Sequence, residues 1–291
     1  MNVDEISQIT AKYDERYVQH RLASADDVTK FAAVFYRDVA EIYDVLTRLR
    51  NLERNPTGFA IGDAPVLGLL VRMWKLLKEI IRYYEQNNAE IIGVLDRPFL
   101  EAAVTATFLL ESTDAVIEDY RKCSYRHRLR LLRESKAGSK FFETKAGRRL
   151  IKSIEEKMAF EKLTESNFDT QQQNRWHIQG MSFFEIFGKV HGKDLYAMTY
   201  GIMSESIHGS WNDSMDFCLL KNEDGTFYPN PFFQSADMRF ITPLLQFSQP
   251  AYRLWLQRID AYDENHRGLL VWIDRVNRAV FTKFDAAFDG P

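Results

Sequence analysis

The sequence has few cysteines and no long run of apolar residues. Its 291 residues include two cysteines, Cys123 and Cys218, which have neither metal-binding nor redox spacing. This usage is typical of a reducing compartment, where structural disulfides are rare. No apolar run approaches the roughly 20 residues that a membrane-spanning helix needs. Because the N-terminal segment is acidic and amphipathic, with no apolar signal core, we expect a cytoplasmic protein and no membrane partner.

The sequence also lacks a large excess of charge and any internal repeat. The formal net charge of −3 excludes a polycation that binds DNA with its whole surface. Hydrophobic residues make up 45% and charged residues 27%, as in globular proteins that bury a sizeable core. No shift in composition divides the chain, which favours a single domain over residues 1–291.

Helical periodicity dominates the chain, and its few prolines and glycines fall mainly between the periodic segments. We therefore predict an all-α, multi-helix bundle-like domain, with residues 61–288 as its core. The N-terminal helices of residues 1–60 either join this core or lie at its periphery. Residues that alternate around the Asn-Glu-Asp-Gly sequence at 222–225 predict a small β-hairpin or an irregular insertion near 217–233.

Arg97 and Glu101 lie in a strongly apolar segment that also contains Pro98. The segment is either one helix kinked at the proline or a new helix capped by Asp96. Residues four apart share a helix face, so Arg97 and Glu101 can pair. They form either an ion pair on a solvated edge or a pair in which Glu101 orients Arg97 toward a pocket.

A second segment, LYAMTYGIMSESIHG at 195–209, carries small residues and one histidine on a helix face. The members of this face are Ala197, Gly201, Ser204 and His208. Gly209 can end the helix. An apolar stripe beside this face predicts that the helix is buried in a core. The stripe is formed by Leu195, Met198 and Ile202. We interpret the segment as the floor of a polar pocket.

Glu205-x-x-His208 has the spacing that di-iron helical bundles use, but the chain has no second copy of it. We therefore predict no metal and no cofactor. A histidine near a helix C-terminus is also favoured by the helix dipole alone. Ser204 and His208 are not accompanied by a G-x-S-x-G turn, which argues against a serine hydrolase.

Positive charge is concentrated between Arg121 and Lys157. Thirteen Lys and Arg residues and four acids give this segment +9, so the rest of the chain carries −12. Such asymmetry indicates binding of phosphate, and so of RNA, DNA or a nucleotide. Alternatively, the basic helices pair with acidic faces elsewhere in the chain or in a partner subunit. The predicted nucleic-acid-binding residues are Arg121, Arg126, His127, Arg128 and Arg130.

Within the basic segment, Arg121 and His127 are separated by the five residues KCSYR. An arginine that stabilises phosphate charge and a histidine that transfers protons can cleave RNA without a metal. The spacing resembles the Arg-x(4–6)-His motif of the HEPN ribonucleases, which are small helical bundles. Lys122 stands where those enzymes often have asparagine, and the motif lies mid-chain here.

Three segments together resemble an uncharacterised bacterial family of unknown function. They are Arg97-Pro-Phe-Leu-Glu101-Ala, Tyr120 with its basic helix, and the run from Tyr196 through Tyr200, Ser204 and His208 to Ser210. Members of that family carry an R-x-x-x-E helix and a later Y-x-x-x-S-x-x-x-H-G segment. The likeness covers about Val66 to Phe288. It implies a helical fold and makes Arg97, Glu101, Ser204 and His208 the expected catalytic residues.

Two functional hypotheses follow. In the first, the protein is a metal-independent ribonuclease-like toxin or phage-defence effector in which Arg97 holds a phosphate and His208 is the general acid or base. In the second, the same residues form a buried polar network in a non-catalytic module that binds a ligand or partner. The candidate partners are RNA, a nucleotide and a second copy of the chain. The sequence leaves open whether the protein is an enzyme.

Overall fold

The computed structural model describes residues 3–168 and 175–288, and it confirms the predicted mostly helical fold. The α-helices are α1 (Val3–Lys12), α2 (Glu15–Arg21), α3 (Ala25–Arg48), α4 (Ala64–Glu85), α5 (Ala89–Leu110), α6 (Asp114–Cys123), α7 (Arg126–Lys136), α8 (Lys145–Phe160), α9 (Phe183–His191), α10 (described below), α11 (Thr242–Arg258) and α12 (Glu264–Phe288).

The chain forms two compact units. The first falls within Met1–Glu111 and Phe187–Pro291, and the second is Ser112–Ile186. The expectation of one domain over residues 1–291 stays a prediction. No described helix is long and apolar enough to cross a membrane.

Helix α3 supplies one face of the core of the first unit. Ser24 begins it with a capping box in which Ser24 and Asp27 satisfy each other's backbone N–H groups. Tyr36 and Tyr43 on its inner face are fully buried. Their hydroxyls lie 2.9 Å from those of Thr242 and Ser248 on α11, which satisfies these buried polar groups.

Helix α5 continues through Pro98, so the segment is one helix and not a new helix that begins at Asp96. Asn88 caps its N-terminus by accepting from the backbone N–H of Ile91 at 3.2 Å. Asp96 is therefore inside the helix rather than at its start, and only 4% of it is exposed. Pro98 removes one backbone donor from the helix, and the surrounding packing tolerates this loss.

Helix α10 consists of three consecutive segments, Asp194–Tyr196, π-helical Ala197–Gly201 and Ile202–His208. Gly209 then adopts a left-handed conformation with φ of 58°, which ends the helix as predicted. At Gly93 of α5, an added Cβ would lie 2.9 Å from Ser206 Oγ, so the two helices approach closely at this point.

The prediction that an apolar stripe buries α10 is wrong. Leu195 is 40% exposed, and Met198 and Ile202 are each 62% exposed. The physical reason is that α10 meets α5 through another side. Tyr200, which is buried, and His208 contact Arg97 there, and the stripe lies outside this contact.

The predicted hairpin is present and small. Strand β1 (Leu219–Lys221) pairs antiparallel with strand β2 (Phe227–Pro229), with Leu220 opposite Tyr228. Gly225 in the connecting turn has φ of 84°. Two short helical segments, Trp211–Asp213 and π-helical Ser214–Cys218, connect α10 to β1.

The second unit has its own apolar core. The 3₁₀ segment Lys140–Glu143 links α7 to α8, and a second one spans Glu165–Asn167. The core residues come from α7, α8 and the residues next to these helices. They are Tyr125, Leu129, Leu132, Ile154, Met158, Leu163 and Phe168. The basic segment therefore lies on helices whose apolar faces are already buried.

Gly147→Ala should destabilise the second unit strongly. A Cβ at Gly147 would lie 2.3 Å from the carbonyl oxygen of Phe141, and a backbone atom cannot move aside cheaply. Overpacking typically costs about 1–3 kcal/mol, and we expect the upper end of that range because the contact is with backbone. Chemical denaturation of the full chain measures the loss.

The matched control is Gly68→Ala, on helix α4, where an added Cβ meets nothing within 4 Å. Alanine should stabilise this helix by about 1 kcal/mol because it is the better helix former. If both substitutions changed stability by the same amount, the close contact at Gly147 would not determine the effect.

His191 should make the protein lose stability in acid. Burial lowers the pKa of His191 from 6.5 to about 4. Its ring packs edge-on against Phe247, with centroids 4.7 Å apart. Between pH 6.5 and pH 4 the histidine is protonated in the unfolded chain but not in the folded chain. The free energy of unfolding therefore falls by up to about 3 kcal/mol as the pH drops toward 4.

His191→Phe removes the titration and keeps an aromatic ring, so the fall in stability between pH 7 and pH 4 should become smaller than in the wild type. His20→Phe is the control, because His20 is exposed. Equal pH dependence in the wild type and His191→Phe would contradict this account.

Candidate functional site

Four polar side chains from α5 and α10 meet at one place, which we call the Arg97–His208 cluster. Its members are Arg97, Glu101, Tyr200 and His208. Arg97 and Glu101 lie one turn apart on α5, while Tyr200 and His208 lie two turns apart on α10. The structure thus brings together two segments that are separated by about a hundred residues of sequence.

Arg97 is the centre of the cluster because each guanidinium nitrogen has a different partner. Its Nε donates to Glu101 Oε1 at 3.2 Å, and its Nη2 donates to the Tyr200 hydroxyl at 2.5 Å. Its Nη1 lies 3.3 Å from His208 Nε2. The Tyr200 hydroxyl in turn donates to Glu101 Oε1 at 2.6 Å. The position of the guanidinium is therefore fixed from three sides.

The Tyr200 ring also supports the guanidinium from below. Arg97 Cζ lies 4.4 Å from the centroid of this ring, within the range of a cation–π contact. Tyr200 is only 7% exposed, and the Arg97 side chain is 19% exposed. Glu101 and His208, by contrast, are exposed to solvent. The cluster thus has a buried base and an open side.

The charges of the buried base are well defined. Partial burial lowers the pKa of Arg97, but Tyr200 and Glu101 raise it by more, so the guanidinium keeps its charge. Burial raises the pKa of Tyr200, and its hydrogen bond to Glu101 raises it further, so the phenol keeps its proton. The cluster offers a fixed cation beside a protonated hydroxyl.

His208 meets the guanidinium with its Nε2 atom. A guanidinium nitrogen can only donate, so Nε2 must accept, which requires an imidazole that is unprotonated at Nε2. This arrangement presents a proton acceptor next to a fixed positive charge at a solvent-exposed position. Such a pair can bind an anion and accept a proton from it or from its neighbour.

Ser204, the fourth predicted catalytic residue, lies on α10 between Tyr200 and His208. Its hydroxyl donates to the backbone carbonyl of Tyr200 at 2.7 Å, as serines often do one turn along a helix. No hydrogen bond of the described residues joins it to Arg97, Glu101 or His208. Its predicted catalytic role stays a prediction.

Tyr200 belongs to the cluster but was not among the predicted site residues. A signal for it was present, since residues 200, 204 and 208 follow one another at steps of four and so share a helix face. The tyrosine provides both the hydroxyl and the ring that hold Arg97.

The predicted nucleic-acid-binding residues belong to the second unit. Arg121 is paired with Glu118 at 3.2 Å and with Glu161 at 3.3 Å. Arg126 Nη2 lies 2.9 Å from His127 Nε2. Within the described chain no hydrogen bond joins Arg121 to His127, the two residues of the Arg-x(4–6)-His spacing.

The remaining two members of this set also have partners. Arg128 lies over the Tyr125 ring, with its Cζ 5.2 Å from the centroid, and Arg130 pairs with Glu134 at 2.8 Å. Lys136 pairs with Glu165 in the same unit. Part of the positive charge is thus compensated locally, as the alternative interpretation of the basic helices holds. Binding of nucleic acid stays a prediction.

Glu205 and His208 point to different partners. Glu205 Oε2 accepts from Ser210 Oγ at 3.3 Å, whereas His208 meets Arg97. In the described parts of the chain, no group of three or more His, Cys, Asp or Glu side chains is arranged to hold a metal ion.

The fold and the cluster together define a helical protein in which an arginine and a histidine from separate helices share one solvent-open site. The chain belongs to the family of unknown function DUF5677, whose model matches residues 63–227. That range includes the Arg97–Glu101 segment and all of α10, and it ends before the Phe288 limit that we expected. No curated protein and no solved structure matches the chain. The two motifs and the likeness to HEPN ribonucleases stay predictions.

Proposed function

We propose that the Arg97–His208 cluster cleaves RNA without a metal, as a HEPN-like endoribonuclease does. The observation that carries this proposal is the 3.3 Å distance between Arg97 Nη1 and His208 Nε2 on the open side of the cluster. A cation that stabilises phosphate charge and a base that removes a proton are the two groups that such cleavage needs.

Arg97 would hold the scissile phosphate. A phosphate that approaches from the open side takes over the Nη1 donor and leaves Nε and Nη2 on Glu101 and Tyr200. The guanidinium suits this role because its charge is permanent and its position is fixed, so Nη1 can donate to a phosphate oxygen. Glu101 and Tyr200 then act as positioning residues.

His208 would act as the general base. Once Nη1 turns to the phosphate, Nε2 is free to accept the proton of the ribose 2′-hydroxyl. The 2′-oxygen bonds to phosphorus, the bond from phosphorus to the 5′-oxygen breaks, and water protonates the departing oxygen. His208 returns its proton to solvent. The products are a 2′,3′-cyclic phosphate and a 5′-hydroxyl.

The basic segment of the second unit supports RNA as the substrate. Lys and Arg contacts to phosphates supply most of the non-specific affinity of proteins for nucleic acid, which does not depend on the nucleotide sequence. Arg126 and Arg128 make no ion pair with a described carboxylate. We infer that they contact the RNA backbone. A toxin or phage-defence role would use this activity against cellular RNA.

One observation favours the non-catalytic alternative. Every nitrogen of the Arg97 guanidinium already has a partner in the protein, so its hydrogen bonds are complete without a substrate. Such a network can fix the register of two helices, and then it carries no activity.

The experiment that separates the two uses an RNA oligonucleotide and its 2′-deoxy counterpart, incubated with the purified protein in EDTA. We expect cleavage of the RNA only, with a 2′,3′-cyclic phosphate on the product, because the nucleophile is the 2′-hydroxyl. Intact RNA after incubation with folded protein would leave the structural network as the better account.

A further inference from the structure

A cavity of about 420 Å³ lies in the first unit, beside α5 and α10 but not at the Arg97–His208 cluster. The three helix residues Asp96, Ile202 and Glu205 line it, and so do Asp213, Asp216 and Arg239. Its volume is in the range of small-molecule sites, which is roughly 300 to 1,000 Å³.

Asp96 has no partner in this cavity wall. It is 4% exposed, and its Oδ1 has no hydrogen bond to any described residue. A buried polar atom without a partner costs free energy, and most buried polar atoms in native proteins are paired. An unpaired carboxyl oxygen at a cavity wall is the sign of a missing ligand group.

The charges around Asp96 are mainly negative. Glu205, Asp213 and Asp216 add three further carboxyl groups to the lining. Among the described residues, Arg239 is the one cation of the lining, and its Nη2 is paired with Asp237 at 2.6 Å. An anion would be repelled here, whereas a cation would be attracted.

Apart from the hydroxyl residues Thr199 and Ser206, the rest of the lining is apolar. Met198, Ile202 and Met203 come from α10, and Phe217, Phe240 and Pro243 come from the segments that follow it. Methionine side chains adapt to irregular shapes and pack well against rings. A ligand for this cavity therefore combines a positive group with an apolar body.

We propose that this cavity binds a small organic amine, whose ammonium group pairs with Asp96 and whose apolar body lies between the methionines and Phe217. This site is independent of the RNA cleavage proposed above, since none of its residues belongs to the Arg97–His208 cluster. Burial raises the pKa of Asp96 well above its usual range, and a bound ammonium would oppose that shift because it favours the charged carboxylate.

The lining does not form a metal site, because the carboxyl groups of the described residues do not converge as ligands around one point. An organic cation gives Asp96 Oδ1 a hydrogen-bond donor and also fills the apolar part of the cavity.

The test uses three probes of similar size and different charge, namely phenethylamine, 2-phenylethanol and phenylacetate. Titration calorimetry with the full chain measures each affinity. We expect phenethylamine to bind about 10-fold or more tightly than 2-phenylethanol, because a hydrogen bond to an ionised group is the stronger kind. Phenylacetate should bind most weakly.

Asp96→Asn should remove this preference for the amine, because asparagine has the same shape and no charge to offer. Asp194→Asn is the matched control, since Asp194 is exposed at the start of α10 and does not line the cavity. If phenethylamine bound no more tightly than 2-phenylethanol, or bound Asp96→Asn as tightly as the wild type, the proposal would be wrong.

A second variant decides the case in which Asp96→Asn does not fold. Ile202 is 62% exposed and lines the cavity, so Ile202→Trp fills the cavity without disturbing the core. Loss of phenethylamine binding in this variant supports the site, and undiminished binding overturns it.

Discussion

His208→Ala should lower the rate of RNA cleavage by at least about 100-fold, the usual contribution of a general base. His208 is exposed, so the substitution removes no core packing and the midpoint of thermal unfolding should stay within a few degrees of the wild type. Single-turnover cleavage of a labelled RNA oligonucleotide in EDTA measures the loss.

The control for this variant is His20→Ala, which removes another exposed histidine of the same unit. It should cleave RNA as the wild type does. If His208→Ala kept the wild-type rate while the wild type was active, the base would be another residue, and His127 of the Arg-x(4–6)-His spacing would be the next candidate to replace.

Arg97→Ala should lower the rate of RNA cleavage by about 100- to 1,000-fold relative to the wild type, because it removes the cation that stabilises the charge of the transition state. Arg97→Lys should recover only part of this loss. A lysine ammonium is a point charge and cannot reach Glu101, Tyr200 and His208 at once, as the guanidinium does at 3.2, 2.5 and 3.3 Å.

Both Arg97 variants are compared with Arg72→Ala, on the exposed face of α4, which should be as active as the wild type. The rate constant and the apparent affinity for RNA are measured separately. A change in affinity alone would mean that Arg97 only holds the substrate. Equal activity of Arg97→Lys and the wild type would show that the fixed geometry of the guanidinium has no role.

The sequence predicted the helical fold because the apolar spacing, the Ser24 capping signal and the turn residues all agreed. It also selected Arg97 and Glu101, because charged residues in an apolar helical segment need partners, and His208, because it ends a helix face of small residues. It could not show that these residues meet, since their contact depends on how α5 packs against α10 rather than on any local pattern.

The side through which α10 packs could not be predicted from its sequence. The apolar stripe indicated one side, whereas α10 contacts α5 through the side of Tyr200 and His208, and the stripe residues are exposed. Tyr200 was not selected, although its spacing from Ser204 and His208 places it on their face. A cap at Asp96 was one of the two alternatives for the segment around Pro98, whereas the burial of Asp96 inside α5 depends on tertiary packing.

The central claim is that Arg97 and His208 form one catalytic unit, and the double variant Arg97→Ala/His208→Ala tests it most directly. Single-turnover RNA cleavage in EDTA is compared for the wild type, both single variants and the double variant. If the two residues act as a unit, the double variant will be no slower than the slower single variant. Losses that multiply, or a folded wild type that leaves RNA intact, would contradict the claim.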